Sequence, residues 1–225
     1  MTRRIAAREL LPRIVGVIAS RQDLLRATGM RRAPDLFEVR LDALWPELEE
    51  VTATLGRLSA PLIITARDPR EDGANALSPS IRRDLHRQFL QFARYQDVEL
   101  RNARTFTFDL PEHVQRILSF HDFTDTPMIS VLAKKAAVAR SHRAAIFKIA
   151  TRTDTIAQLD RLLAFFDETH TQIPLAAMGM GKLGAESRRE LARRGSVLNY
   201  APIGTAQVKG QLTLRRLRQV LRRDR

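Results

Sequence analysis

Two residues set inside apolar, strand-like runs could do carbonyl chemistry together. In AAIFKIAT, Lys148 interrupts an otherwise apolar run and shares a face with Ile146 and Ala150. Burying an ammonium disfavours its charged form, and a neutral amine is the species that attacks a carbonyl carbon. His121 closes a second run, SFHDF, with Ser119 on its face and Phe120 and Asp122 opposite. Imidazole is the side chain best suited to moving a proton near neutral pH. The other histidines, at 86, 113, 142 and 170, fall in helical or connecting segments. An amine and an imidazole delivered by neighbouring strands to one rim point to Schiff-base chemistry with proton transfer. Position alone also allows a lysine that snorkels or pairs with Glu38, and a histidine that is only structural.

Charged residues recur at the ends of other runs. In FEVRLD, strand alternation puts Glu38, Arg40 and Asp42 on one face. LIITAR ends in Arg67 and leads into DPREDGAN, where Glu71 leaves the strand and Asp72-Gly73 makes a turn. An ion pair plugging a core, or an ordinary polar loop, would produce the same patterns.

Elements that could position these groups alternate along the chain. Strands are expected near 13–19, 35–41, 61–66, 96–100, 116–121, 144–150, 173–178 and 196–201. Helical periodicity falls at about 21–29, 46–58, 79–94, 127–139, 154–168, 184–194 and 211–222, with Pro127 opening its helix. Eight such units without a low-complexity linker predict an α/β fold, a single (β/α)8 TIM barrel spanning 1–225 as one domain. RNARTFTFDLPEHVQ is too short for a full crossover helix, so the connection between strands 4 and 5 should be abbreviated. In this architecture the carboxyl ends of the strands carry the chemistry.

Composition narrows the function classes. Cysteine is absent, which removes disulfides and thiolate metal sites, and no metal site or cofactor is called for. Every apolar stretch is interrupted well short of a membrane span, and the cytoplasm is the default location. The net charge of +13 raises the idea of a polyanion partner. Yet only five of the 38 basic residues are lysines, and the arginines lie scattered along helical segments. The C-terminal LRRLRQVLRRDR keeps Leu214, Leu217, Val220 and Leu221 at helical spacing, as an amphipathic last helix would, so nucleic acid is not the expected partner.

FEVRLD, TARDPREDG, SFHDF, IFKIAT, MGMGKLGAESR and GQL occur in an order that resembles the type I 3-dehydroquinate dehydratase family over nearly the whole chain. That resemblance implies a small carboxylate substrate whose ketone condenses with Lys148, and a cycle giving 3-dehydroshikimate from 3-dehydroquinate. It implies His121 as general base and acid, with Glu71 orienting it. Glu38, Arg40 and Arg67 would hold the substrate hydroxyls and the imine region, Arg188 its carboxylate, and Gln211 would close a lid. Phe123, Met178, Met180 and Tyr200 would form the water-excluding wall, Tyr200 standing where the family commonly has Phe. A homodimer is also implied. Departures from the family pattern are Gly16, Asp72, Gln207 and Lys209. Another Schiff-base barrel enzyme such as a class I aldolase, or a silent ligand-binding homologue with a polyanion-binding surface, are the competing readings.

Overall fold

The computed structural model describes residues 11–106, 109–204 and 209–222. Eight parallel strands run β1 Arg13–Ile18, β2 Leu36–Arg40, β3 Leu62–Thr65, β4 Ala93–Glu99, β5 Gln115–Asp122, β6 Ile146–Arg152, β7 Leu175–Met180 and β8 Leu198–Pro202. The helices are α1 Arg21–Thr28, α2 Leu48–Leu55, α3 Pro79–Phe89, α4 Ile129–Ser141, α5 Ile156–Thr169, α6 Gly184–Arg193 and α7 Leu214–Arg222. Strand order β7-β6-β5-β4-β3-β2-β1-β8 wraps the sheet into a (β/α)8 barrel. Its seam lies between β7 and β8, where Val197 N donates to Leu175 O at 3.1 Å and Ala177 N to Ser196 Oγ at 3.1 Å.

Alternation along each strand divides the core into two shells. Outward residues such as Phe37, Val39 and Ile64 pack on Leu24, Val51, Leu55, Leu85 and Phe89 of α1 to α3. On the opposite side Leu118, Phe147, Ile149 and Leu175 meet Leu132, Leu162, Phe165, Phe166 and Leu191. Each such burial contributes about 1.5–3 kcal/mol. Inside the barrel, Val15, Leu36, Ile63, Tyr95, Ile117, Ile146, Ala176 and Leu198 form an apolar plug. Two residues further along five of those strands come Glu38, Thr65, Asp97, Ser119 and Lys148, all buried. A polar layer therefore rests on a dry floor and faces the carboxyl ends.

The short connection after β4 contains a 3-10 turn, Leu100–Asn102, and no α-helix among the described residues. Other boundaries moved. The helix expected over 79–94 stops at Phe89, because β4 begins at Ala93 and sends Tyr95 inward, where its hydroxyl accepts from Arg13 Nη2 at 3.0 Å. Helix α4 starts at Ile129, so Pro127 precedes the helix instead of opening it. The last helix starts at Leu214, with Thr213 Oγ1 accepting from Arg216 N at 3.2 Å as its cap. No helix among the described residues is long and apolar enough to cross a membrane.

Candidate active site

A cavity of about 420 Å³ opens at the carboxyl ends of the strands. Glu38, Arg40, Arg67, Glu71, His121, Phe123, Lys148, Met178, Met180, Arg188, Tyr200 and Gln211 all line it. Lys148 and His121 thus share one space, on strands whose register sets Ser119 beside Lys148 and His121 beside Ala150.

Lys148 is 4% exposed and its Nζ donates to Glu38 Oε1 at 3.0 Å and to Asp97 Oδ2 at 2.8 Å. The same Asp97 oxygen accepts from Arg67 Nη2 at 2.9 Å, while Arg67 Nη1 donates to Glu99 Oε1 at 3.0 Å and to Ser119 Oγ at 2.7 Å. Burial would raise the Asp97 carboxyl, but Arg67 and Lys148 together hold it far below the usual carboxylate range. Amine and guanidinium are therefore fixed by three acids from two strands, Glu38 of β2 and Asp97 and Glu99 of β4. Tyr200 lies beneath, its ring centroid 4.2 Å from Lys148 Nζ, a cation-π contact. Its hydroxyl is buried with no hydrogen-bond partner among the described residues.

Arg40 forms a two-pronged pair with Asp42 at 2.9 and 2.8 Å, and Asp42 also accepts the amides of Arg67 and Ala74, each at 3.0 Å. Asp42 lies just past β2 as a clamp between loops. It does not line the cavity with Glu38 and Arg40.

Glu71 is delivered by the 3-10 turn Pro69–Glu71, capped by Asp68, whose Oδ1 accepts from Arg70 N at 2.9 Å. Asp72 ends the turn in the left-handed region at φ 65°, a conformation that aspartate tolerates better than most residues, so the departure at this position leaves the turn intact. Glu71 Oε2 lies 2.9 Å from His121 Nδ1, and its Oε1 lies 2.9 Å from Arg101 Nε. Burial pushes the Glu71 carboxyl up to about 7, against the pull of Arg67. Burial also drives the His121 imidazole well below its ordinary value, helped by Arg67 and Lys148. With Nδ1–H donating to an ionised Glu71, the Nε2 lone pair is available as a base. Phe123 stacks on the His121 ring, centroids 6.2 Å apart, but is 37% exposed and so forms a rim where a sealed wall was expected.

Arg188, on α6, donates from Nε to Gly179 O at 3.1 Å and from Nη1 to Tyr200 O at 3.4 Å. No carboxylate pairs with it among the described residues, and burial lowers its guanidinium to about 10. A buried cation without an acid is costly and is relieved by an incoming anion. Helix α6 is approached closely by Gly210 at φ 92°, where a Cβ would lie 2.8 Å from Gly184 Cα; this brings Gln211 to the cavity. Of the altered lid positions, Lys209 accepts from Gly181 N at 3.1 Å through its carbonyl, and Gln207 lies outside the described residues. Gly16 does not bear on the site: a Cβ there would meet Pro34 and Ile203, and Val17 is the β1 residue lining the cavity.

Sequence reading missed Asp97 and Glu99. Their alternation with Tyr95 in RYQDVEL repeats the pattern of FEVRLD and carried the signal. It also missed Arg82 of α3, 1% exposed, which holds Asp68 at 2.9 Å and Glu99 at 3.3 Å; nothing in an amphipathic helix marks one arginine as inward.

Known proteins share this arrangement of strands and sequence. The chain is 30% identical over 194 residues to a 3-dehydroquinate dehydratase of Pyrococcus abyssi, covering 84% of this chain and 86% of that one. It is 30% identical over 207 residues to the enzyme of the same name from Shouchella clausii, covering 84% and 81%. Among solved structures, the 3-dehydroquinate dehydratase of Geobacillus kaustophilus superposes with a TM-score of 0.80 at 28% identity, covering 94% of this chain and 90% of that chain. The profile of the type I 3-dehydroquinases matches residues 16–225, nearly the whole of the sequence, and the chain belongs to that family.

Proposed function

We propose that the protein is a 3-dehydroquinate dehydratase that removes water from 3-dehydroquinate through a Schiff base on Lys148 and releases 3-dehydroshikimate. One observation carries this reading: an amine, an imidazole backed by a carboxylate, and a buried arginine that pairs with no acid among the described residues all face one cavity. Arg188 receives the substrate carboxylate as a two-pronged partner. Lys148, aligned by Glu38 and Asp97, loses its proton and attacks the ketone, expelling water to leave a protonated imine. The imine draws electrons from the adjacent carbon, and His121 Nε2 removes the proton there. The same imidazolium then protonates the departing hydroxyl, and hydrolysis of the imine frees the product. Arg40 and Arg67 hold hydroxyls, Met178, Met180, Phe123 and Tyr200 limit water, and Gln211 closes over the ligand.

Such a reaction belongs in the shikimate pathway of aromatic amino acid biosynthesis. A homodimer working in the cytoplasm is part of the same reading. An aldolase would use the lysine equally well, but the isolated cationic Arg188 favours an acid substrate. The test is to add 3-dehydroquinate, follow the conjugated enone by ultraviolet absorbance, and trap the imine with borohydride for mass spectrometry. An adduct on Lys148 with enone formation is expected; neither appearing would discard the proposal.

A further inference from the structure

Behind Glu71 lies a second cavity of about 380 Å³, bounded by the short β4–β5 connection, β5 and α4. It exists because no helix covers the barrel there among the described residues. Phe120, turned outward from β5, sits with Leu100, and α4 adds Val131 and Val138, each 42% exposed. Around this apolar surface stand Arg101, Lys134 and Lys135. Lys135 Nζ lies 3.9 Å from the Phe120 ring centroid, and Lys134 is exposed and engages no acid among the described residues. Arg101 meets Glu71 Oε1 through Nε at 2.9 Å, is 41% exposed and pairs with no other acid among the described residues, so it can face a second carboxylate. Among the described residues Glu71 is the only acid lining the cavity, and it also lines the catalytic one.

We propose that this second cavity binds a small carboxylate bearing an apolar ring, and that its occupancy is felt at the catalytic cavity through Arg101 and Glu71. The volume suits a single-ring acid. The ring would rest on Phe120, Val131 and Val138 while the carboxylate meets Arg101 Nη and Lys134. A second copy of this chain is a poorer occupant, because a two-fold contact across this groove would set Arg101, Lys134 and Lys135 against their own duplicates. A bound anion near Arg101 adds negative charge beside Glu71 and favours its protonated form, which cannot hold His121 as a base. By reciprocity, protonating Glu71 must tighten the ligand. That coupling rests on the role proposed above for Glu71; binding itself does not.

The probe is 3-phenylpropanoate, titrated calorimetrically into the whole chain at pH 6 and pH 8. Binding one probe per chain is expected, tighter at pH 6, and weakened at least tenfold in Lys134→Glu, whose exposed position leaves the fold intact by circular dichroism. The Arg188→Met variant should bind the probe as the parent does. With 3-dehydroquinate at pH 7, the probe should lower kcat at least twofold and leave KM unchanged. Absence of binding, or binding lost in Arg188→Met or competitive with substrate, would overturn the proposal. So would a dimer that Lys134→Glu dissociates in sedimentation, since a second copy would then cover the groove. Because the titration needs no turnover, a chain that binds the probe but forms no enone would retire the dehydratase reading and leave the second site standing.

Discussion

One carboxylate oxygen, Oε2 of Glu71, accepts both the backbone amide of His121 at 3.1 Å and its ring Nδ1 at 2.9 Å. Ring and backbone are thereby locked as a unit, and the imidazole can act as a base only while Glu71 is ionised. With that carboxyl raised to about 7 by burial, kcat should rise with pH through an acid limb near 7. Glu71→Gln should lose roughly 10²-fold in kcat and flatten that limb. An acid limb unmoved by the substitution would assign it elsewhere.

The same group ties stability to pH. An ordinary glutamate titrates near 4.5, so between about 4.5 and 7 the folded chain binds a proton that the unfolded chain has released. Its contribution is complete below 4.5 and is lost as pH climbs through 7. Glu71→Gln should therefore melt higher than the parent at pH 8 and close to it at pH 4.5, by differential scanning calorimetry. The opposite order at pH 8 would show that the pair with Arg101 outweighs burial.

On the proposed reading, Arg188 bears on binding more than on folding. Arg188→Met removes a buried cation that no acid among the described residues offsets, at the expense of two carbonyl contacts, and should leave Tm within a few degrees of the parent or above it. KM for 3-dehydroquinate should rise about 30- to 150-fold, the scale of a charge-assisted contact worth roughly 2–3 kcal/mol. A large fall in Tm with KM unmoved would make Arg188 structural.

Lys148, His121 and the barrel itself were legible in the sequence because a polar residue in a short apolar run is conspicuous and the strand-helix alternation is regular. Register could not be read that way. Whether Gly16 or Val17 faces inward depends on a one-residue step, which reverses every side chain of a strand. Asp97 was hidden for a related reason: with β4 begun at 96, Tyr95 lost its inward place and the alternation with the two acids was obscured. Arg101 reaches Glu71 across the chain from a turn whose conformation no periodicity encodes.

Asp97 holds two cations at once, Lys148 at 2.8 Å and Arg67 at 2.9 Å, with the carboxylate fully buried. Asp97→Asn keeps the shape and removes the charge, leaving that pair to Glu38 and Glu99. Loss of one partner from a buried ion network costs about 3–5 kcal/mol, so chemical denaturation should show a midpoint well below the parent's. Borohydride trapping should also slow, since Lys148 is no longer held in line. An unchanged midpoint would mean that Glu38 and Glu99 alone suffice.

Tyr200 offers the opposite sign. Its hydroxyl is buried beside Glu38 and Asp97 yet has no hydrogen-bond partner among the described residues, while its ring carries the contact with Lys148. An unsatisfied buried hydroxyl costs about 1–3 kcal/mol, and phenylalanine keeps the ring without it. Tyr200→Phe should raise the denaturation midpoint and leave kcat within about twofold, because the ring face and not the oxygen touches the amine. A fall in kcat of tenfold or more with stability unchanged would give the hydroxyl a role in the reaction.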